Sequence, residues 1–308
     1  MTRVMLIVNP SSGNETAEEY ATYAREKLQQ KYDEVETVWT EKRWDATRFA
    51  AQASKDRYEA VFALGGDGTV SECINGIAEK EYRPDFGFIP LGTVNDLGRV
   101  LGISMNPEQA IEDIPKLTTR LIDVGKVNEH YFADVLAIGS IPEAVHDVSV
   151  EQKTRLGTMA YIMEGARALK DNETLHFQLS LDDETAEFDS FLVLVALSNS
   201  IGGIQTMIPQ AAVDDGYLHA LALKRGKVVD KLNIVPKIFS GKVTENETVY
   251  YRPFKQGTVE IRENKKVTVN VDGDEGDALP LNLKVLPQHI RCFVPEGTDK
   301  EKLKRRLV

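Results

Sequence analysis

The sequence predicts an α/β protein of two domains: an N-terminal doubly wound α/β domain, then a mainly antiparallel β-sandwich C-terminal domain. Three observations predict this. The chain has 308 residues, against roughly 150 for an ordinary domain. In its first third, short continuous apolar runs alternate with stretches of helical spacing, the mark of a parallel sheet covered on both faces. After about residue 120 the pattern becomes a series of strand-like runs divided by turns. The expected boundaries are 1–125 and 126–292, with 293–308 packing back onto the first domain.

Val4–Val8 reads as a first buried strand, stopped by the loop Asn9-Pro10-Ser11-Ser12-Gly13. Thr16 and Glu19 have the spacing of a capping box, and Ala17, Ala21, Ala24 and Leu28 follow on one helical face. A second helix is expected from Asp45, with Phe49, Ala50 and Ala53 inward. Val61–Leu64 is a strand that runs into Gly65-Gly66-Asp67-Gly68-Thr69. Val70, Cys73, Ile74, Ile77 and Ala78 then recur at i, i+3, i+4, i+7 and i+8, an amphipathic helix. Phe86–Pro90 is a further strand, ended by Leu91-Gly92-Thr93-Val94-Asn95-Asp96.

In the second domain, Leu121–Val127 and Tyr131–Ile138 read as strands joined by Asn128-Glu129-His130. One helix is expected near 153–169. Strands follow at 176–182, 188–198, 217–224, 248–252, 258–262, 267–271 and 281–286. The end, Pro295–Val308, reads as a basic helix. No repeat or low-complexity tract occurs.

Composition excludes several classes. Hydrophobic residues make up 42% and charged residues 28%, enough for packed cores and against overall disorder. Lys+Arg 37 against Asp+Glu 48 gives a net charge of −11, which disfavours a nucleic-acid partner. Two cysteines, Cys73 and Cys292, fit a reducing compartment better than a disulfide framework. The five histidines are scattered without zinc spacing. No apolar run approaches the ~18 residues of a membrane span, and the N-terminus lacks a signal-peptide pattern. A cytoplasmic protein is expected.

Chemistry is expected at the carboxyl ends of the parallel strands, where open α/β sheets bind ligands. Three loops converge there: 9–13, 65–69 and 91–96. Consecutive glycines let a backbone approach a phosphate, and a helix N-terminus offers N–H groups and a positive dipole end. Thr69 could add a hydroxyl donor. Asp67 would repel a phosphate unless Mg²⁺ lay between them, directly or through water. Taken alone, Gly65–Thr69 is equally well a tight strand-to-helix turn. The chain has neither a G-x-x-x-x-G-K-[ST] loop nor a clean G-x-G-x-x-G.

Gly65-Gly66-Asp67-Gly68-Thr69 resembles the nucleotide loop shared by diacylglycerol-kinase-type lipid kinases, NAD kinases and phosphofructokinases. Ile89-Pro90-Leu91-Gly92-Thr93-Val94-Asn95-Asp96 is similar to the P-x-G-T-x-N-D element of the lipid kinases, which NAD kinases lack. Asn9-Pro10 with Ser12-Gly13 matches their N-terminal loop. Ser198-Asn199-Ser200-Ile201-Gly202-Gly203, Pro209 and Asp214-Asp215-Gly216-Tyr217-Leu218 resemble their second-domain signature. The matches run in order from residue 9 to Pro280. The chain is thereby identified as a member of the soluble bacterial diacylglycerol kinase family, related to sphingosine and ceramide kinases.

The resemblance implies ATP contacts at Asn9, Pro10, Ser11, Ser12, Gly13, Thr40, Gly65, Gly66, Asp67, Gly68, Thr69, Val70, Ser71, Glu72 and Thr93. Asn95 and Asp96 would support the loop or a Mg²⁺–phosphate cluster, and Asp67 would serve catalysis. A second, structural Mg²⁺ would be held by the Asp215 side chain and the carbonyls of Ala212 and Tyr217. Asp214-Asp215-Gly216 is otherwise a plain turn. The family's general base is a glutamate in D-G-E. Here Val271-Asp272-Gly273-Asp274-Glu275 places Asp274 there, one methylene and about 1.5 Å shorter, with Glu275 as substitute. Leu97-Gly98-Arg99 replaces the usual F-A-R, and Ile204 stands where a third glycine is common.

The implied activity is transfer of the γ-phosphate of ATP to the hydroxyl of diacylglycerol, giving phosphatidic acid, in the cleft between the domains. The alternatives are a kinase for a sphingoid or glycolipid, an NAD-kinase-like enzyme, or a weakly active lipid or nucleotide sensor. A lipid substrate implies transient peripheral contact with the inner face of the membrane. Lys300–Arg306, with five positive charges and one negative, and Lys153, Arg155, Arg167 and Lys170 are candidate contacts. A homodimer is implied by the family alone.

Overall fold

In a computed structural model the chain is described over residues 1–12, 16–139, 174–204, 207–224 and 241–298. The helix expected at 153–169, the cations Lys153, Arg155, Arg167 and Lys170, Gly13, and the basic tail from 299 onward lie outside the described residues. Two compact units divide at Val124/Gly125 and again at Pro287/Gln288. These points fall one and five residues before the expected boundaries.

The first unit alternates strand and helix: β1 (Arg3–Val8), α1 (Ala17–Leu28), β2 (Glu34–Trp39), α2 (Asp45–Lys55), β3 (Ala60–Gly65), α3 (Asp67–Ile77) and β4 (Asp85–Pro90). The short helices α4 (Asp96–Val100) and α5 (Pro107–Glu112) follow, then β5 (Thr118–Val127). The sheet is parallel in the order β2-β1-β3-β4, with Val8 level with both Trp39 and Leu64, and Gly65 level with Pro90. That register brings the loops after all four strands to one edge. Strands β1 and β3 are buried over nearly their whole length because helices cover both faces.

Two expectations need correction here, and one strand was missed. Thr16 precedes α1 but its side chain makes no capping bond, since its backbone is already helical (φ −91°, ψ −1°); a capping residue needs extended geometry. On α2 the buried face is Ala46, Ala50 and Ala53, while Phe49 is only half-buried with the Arg48 guanidinium 4.2 Å from its ring centre. Strand β2 was not expected from the sequence. It is an edge strand, exposed or half-exposed throughout, so it carries no continuous apolar run.

The second unit is antiparallel: β6 (His130–Phe132), β7 (Val135–Gly139), β8 (Leu175–Leu181), β9 (Glu184–Ala196), β10 (Leu218–Lys224), β11 (Val249–Phe254), β12 (Gln256–Ile261), β13 (Val269–Val271), β14 (Asp274–Glu275) and β15 (Leu281–Val294). From Gln288 onward, β15 belongs to the first unit. One hydrophobic core gathers Phe177, Leu179, Val193, Val195, Leu218, Phe254, Val259 and Leu281, and a second gathers Leu192, Leu194, Ile208 and Leu221. The end of β9 is therefore buried on both faces, which explains its unbroken Phe191–Ala196 run. The expected strand Tyr131–Ile138 is broken at Ala133-Asp134 into β6 and β7. Among the described residues no helix is long and apolar enough to cross a membrane.

Candidate active site

At the carboxyl edge of the parallel sheet, each loop is tied to its neighbour. The Asn9 N–H donates to the Leu64 carbonyl (3.0 Å), and the Asn9 Nδ2 donates to Thr69 Oγ1 (3.0 Å), joining the loops after β1 and β3. Asn9 Oδ1 also accepts from the Ser11 N–H at 3.0 Å, shaping the turn that carries Pro10, Ser11 and Ser12. Thr40 extends β2 along β1, its N–H donating to the Val8 carbonyl (2.9 Å).

Asp67 joins the loops after β3 and β4. Its Oδ2 accepts the Asn95 N–H (2.8 Å) and its Oδ1 the Asp96 N–H (3.0 Å), at the start of α4. Burial pushes the Asp67 carboxyl up, the two N–H bonds oppose that shift, and the Asp96 charge adds to it. The second loop closes on itself through Asn95, whose Oδ1 accepts from the Gly92 N–H (3.1 Å) and whose Nδ2 donates to the Gly92 carbonyl (2.7 Å). Asn95 sits in the left-handed region (φ 52°), which asparagine tolerates better than most residues. Asn95 and Asp96 are both buried.

Two glycines matter for opposite reasons. A Cβ on Gly92 would lie 2.8 Å from the Gly66 Cα, so these loops touch backbone to backbone. A Cβ on Gly68 would meet nothing within 4 Å. Folding therefore leaves space in front of Gly68, at the first turn of α3, where N–H groups lack intrahelical partners. An anion in that space would meet those N–H groups.

The other expected contacts divide. Thr93 is exposed at the tip of its loop, whereas the side chains of Val70 and Ser71 turn into the core. Glu72 uses its carboxylate on α2: Oε1 accepts the Trp44 N–H (2.9 Å) and Oε2 the Ala46 N–H (3.1 Å). Asp45 completes the preceding turn, its Oδ2 accepting the N–H groups of Glu41 (3.0 Å) and Lys42 (3.1 Å).

In the second unit, Asp272 and Gly273 have positive φ (49° and 97°) and form the two-residue turn between β13 and β14. The Asp272 carboxylate accepts three N–H bonds, from Ala133 (2.9 Å), Asp134 (3.1 Å) and Val135 (2.9 Å). This contact holds the break between β6 and β7. Asp274 is half-buried opposite Val271, and Glu275 is exposed opposite Asn270, 3.6 Å from Lys266 Nζ. Successive strand residues face opposite ways, so the two carboxylates are not interchangeable without a change of register.

The Asp214–Leu218 turn pivots on Asp215. Its Oδ1 accepts the Tyr217 N–H (2.9 Å), and its Oδ2 accepts the Ala212 N–H (2.8 Å) and pairs with buried His219 Nε2 (3.0 Å). His219 Nδ1 in turn meets the Tyr251 hydroxyl at 3.0 Å. Oδ1 and the carbonyls of Ala212 and Tyr217 retain acceptor capacity, a hard-oxygen set that fits Mg²⁺. The His219–Tyr251 extension has no sequence signal beyond a lone histidine on a strand. Asp123, also missed, is buried and accepts the Gln288 N–H at 2.7 Å. Cys73 and Cys292 are buried and not in a disulfide, and burial pushes both thiols up.

Residues 3–127 match the family described as the diacylglycerol kinase catalytic domain. Residues 139–294 match the YegS C-terminal NAD kinase beta sandwich-like domain. A diacylglycerol kinase of Staphylococcus saprophyticus is 33% identical over 301 residues, 98% of each chain. The chain belongs to the diacylglycerol kinase family of lipid kinases. A Streptococcus pneumoniae serotype 4 protein, provisionally assigned as a lipid kinase, is 35% identical over 97% of this chain and 100% of its own. A crystal structure of a provisionally assigned diacylglycerol kinase from Bacillus anthracis str. Sterne superposes with a TM-score of 0.84 at 28% identity, covering 96% of both chains. The fold is that of this family, an α/β domain followed by a mainly antiparallel β-sandwich. A kinase of this family takes ATP as co-substrate.

Proposed function

We propose that this lipid kinase phosphorylates diacylglycerol, using ATP to make phosphatidic acid. The reading rests on one observation above others: two loops locked together by Asp67 and by the Gly66–Gly92 contact, with open space in front of Gly68. The first-turn N–H groups of α3 bind the phosphates, and the positive end of the helix offsets their charge. Asp67 acts on the nucleotide by fixing the second loop through its two N–H bonds. Mg²⁺, when bound to the nucleotide, supplies charge neutralisation on the transferring phosphoryl group. Asp274 accepts the proton of the lipid hydroxyl as its oxygen bonds to the γ-phosphorus and the bond to ADP breaks. The Asp215 carboxylate and the carbonyls of Ala212 and Tyr217 would hold a second Mg²⁺, whose hard-oxygen ligation would stiffen the turn. The lipid is met at the membrane surface in transient contact.

The test is transfer of labelled γ-phosphate to diacylglycerol in anionic mixed micelles, with Asp274→Asn beside the wild type. Phosphatidic acid should form and depend on Mg²⁺, and the variant should lose about a hundredfold or more. Equal rates would remove Asp274 as the base. Label entering sphingosine or NAD in place of diacylglycerol would replace the acceptor, NAD being the alternative that the second domain's likeness to NAD kinase favours.

A further inference from the structure

Trp44 is held in a conformation that its residue type disfavours. It adopts a left-handed backbone (φ 71°, ψ 4°) at the start of α2, makes no capping bond with its side chain, and leaves 42% of its surface exposed. Glycine or asparagine would take that conformation with less strain, and a bulky aromatic there is an outlier. Strained positions persist where function requires them.

The chain's two tryptophans both border this loop. Trp39, 39% exposed, ends β2, and Trp44 closes the loop four residues after Thr40. The loop is fastened at both ends to the phosphate-binding machinery. Thr40 donates to the Val8 carbonyl beside Asn9, and the Trp44 N–H is held by Glu72, three residues beyond Thr69 on α3. Trp39 is level with Val8 and Val8 with Leu64. Two strand spacings, about 10 Å, thus separate the loop from Gly65, a distance a ribose and diphosphate can span. Lys42 and Arg43 add positive charge beside it, the Arg43 guanidinium lying 4.9 Å from the Trp44 ring centre. We propose that Trp44 is the stacking platform for the base of the bound nucleotide, with Trp39 flanking it. The inference rests on the nucleotide reading of the 65–69 loop given above.

Exposed tryptophans beside lysine and arginine also suit a membrane interface. A membrane anchor gains nothing, however, from strained backbone pinned to the phosphate-loop helix by Glu72.

Trp39→Phe leaves Trp44 as the sole tryptophan of this 308-residue chain. Mg·ADP should then quench its fluorescence, while inorganic tripolyphosphate should compete with ADP without quenching. Trp44→Gly should weaken ADP binding about five- to hundredfold, the usual range for an aromatic–base stack. Tripolyphosphate affinity should be unchanged and the melting temperature should not fall, because glycine relieves the strain. Trp44→Tyr should restore most of the ADP affinity. Unchanged ADP affinity in Trp44→Gly overturns the proposal, and a loss confined to binding of anionic vesicles would make Trp44 a membrane anchor instead. If wild-type protein binds tripolyphosphate but gains nothing from the base, this inference alone fails. If it binds neither compound, the nucleotide reading fails with it.

Discussion

Asp67 and Asp272 solve the same problem in two regions with different folds. Each is an aspartate within a glycine-rich turn, and each carboxylate accepts backbone N–H groups from a distant loop. Asp67 takes two, from Asn95 and Asp96, whereas Asp272 takes three, from Ala133, Asp134 and Val135. In the parallel unit the tie is reinforced by the Gly66–Gly92 backbone contact and the Asn9–Thr69 bond. In the antiparallel unit the Asp272 N–H also donates to the Val135 carbonyl (2.9 Å) at the end of the β13–β7 ladder, and the carboxylate carries the tie on to Ala133 and Asp134 in the β6–β7 break. The difference teaches that a motif aspartate can be a strut first, and that its importance depends on what else spans the same gap.

The largest expected effect follows from that contrast. Asp272→Ala leaves three N–H groups without their acceptor, and bonds to an ionised carboxylate contribute about 1.5–3 kcal/mol each. Asp272→Ala should therefore cost about 4 kcal/mol or more, against about 2–3 kcal/mol for Asp67→Ala, where relief of the buried charge offsets part of the loss. Urea denaturation of both variants measures the gap. Equal costs, or a larger cost for Asp67→Ala, would mean that the extra contacts at the parallel edge do not share the load.

The two glycines sharpen the comparison within the parallel unit. Gly92→Ala forces a methyl against the Gly66 backbone and should cost about 1–3 kcal/mol, with nucleotide affinity lost as the loops part. Gly68→Ala meets nothing in the protein, and alanine is the better helix former, so its stability should stay within about 0.5 kcal/mol of wild type. Its ADP affinity should nevertheless fall about tenfold or more, equivalent to about 1.4 kcal/mol, because the methyl enters the phosphate cradle. Calorimetric titration with Mg·ADP decides it. Unimpaired binding by Gly68→Ala would show that the open space is not the phosphate site.

Much of this architecture could be read from local sequence, and what could not has a common cause. Buried strands announce themselves because both faces are apolar, as in Val4–Val8 and Ala60–Leu64. Strand β2, Glu-Val-Glu-Thr-Val-Trp, lies at an edge with water on one side and gives only a weak alternation. The break at Ala133-Asp134 is made by Asp272, more than 130 residues away, so nothing near it in sequence foretells it. The candidate site shows the same division. Its glycines and aspartates stand in short motifs, which the family resemblance singles out and which spacing alone leaves readable as turns. The attachment of Glu72 to α2, the Asp215–His219–Tyr251 chain and the strained Trp44 arise from tertiary contacts alone.

The smallest expected effect concerns the sign of pH dependence on either side of the phosphate edge. The Asp67 carboxyl is raised, chiefly by burial. Its folded form therefore holds a proton more tightly than the unfolded chain, and its contribution to stability falls as pH rises from the ordinary aspartate range through the raised value. Asp45 is lowered, chiefly by the Glu41 N–H, with Arg48 and the Lys42 N–H assisting against burial. Its contribution is full above the ordinary aspartate value and is lost as pH falls through the lowered one. Urea titrations of Asp67→Asn and Asp45→Asn against wild type should thus diverge in the acid range. As pH falls, the stability advantage of wild type over Asp45→Asn should shrink, while its advantage over Asp67→Asn should grow. If both gaps shrink together, Asp67 is held as an ordinary surface carboxylate, and its charge is not what the fold tolerates to lock the two loops.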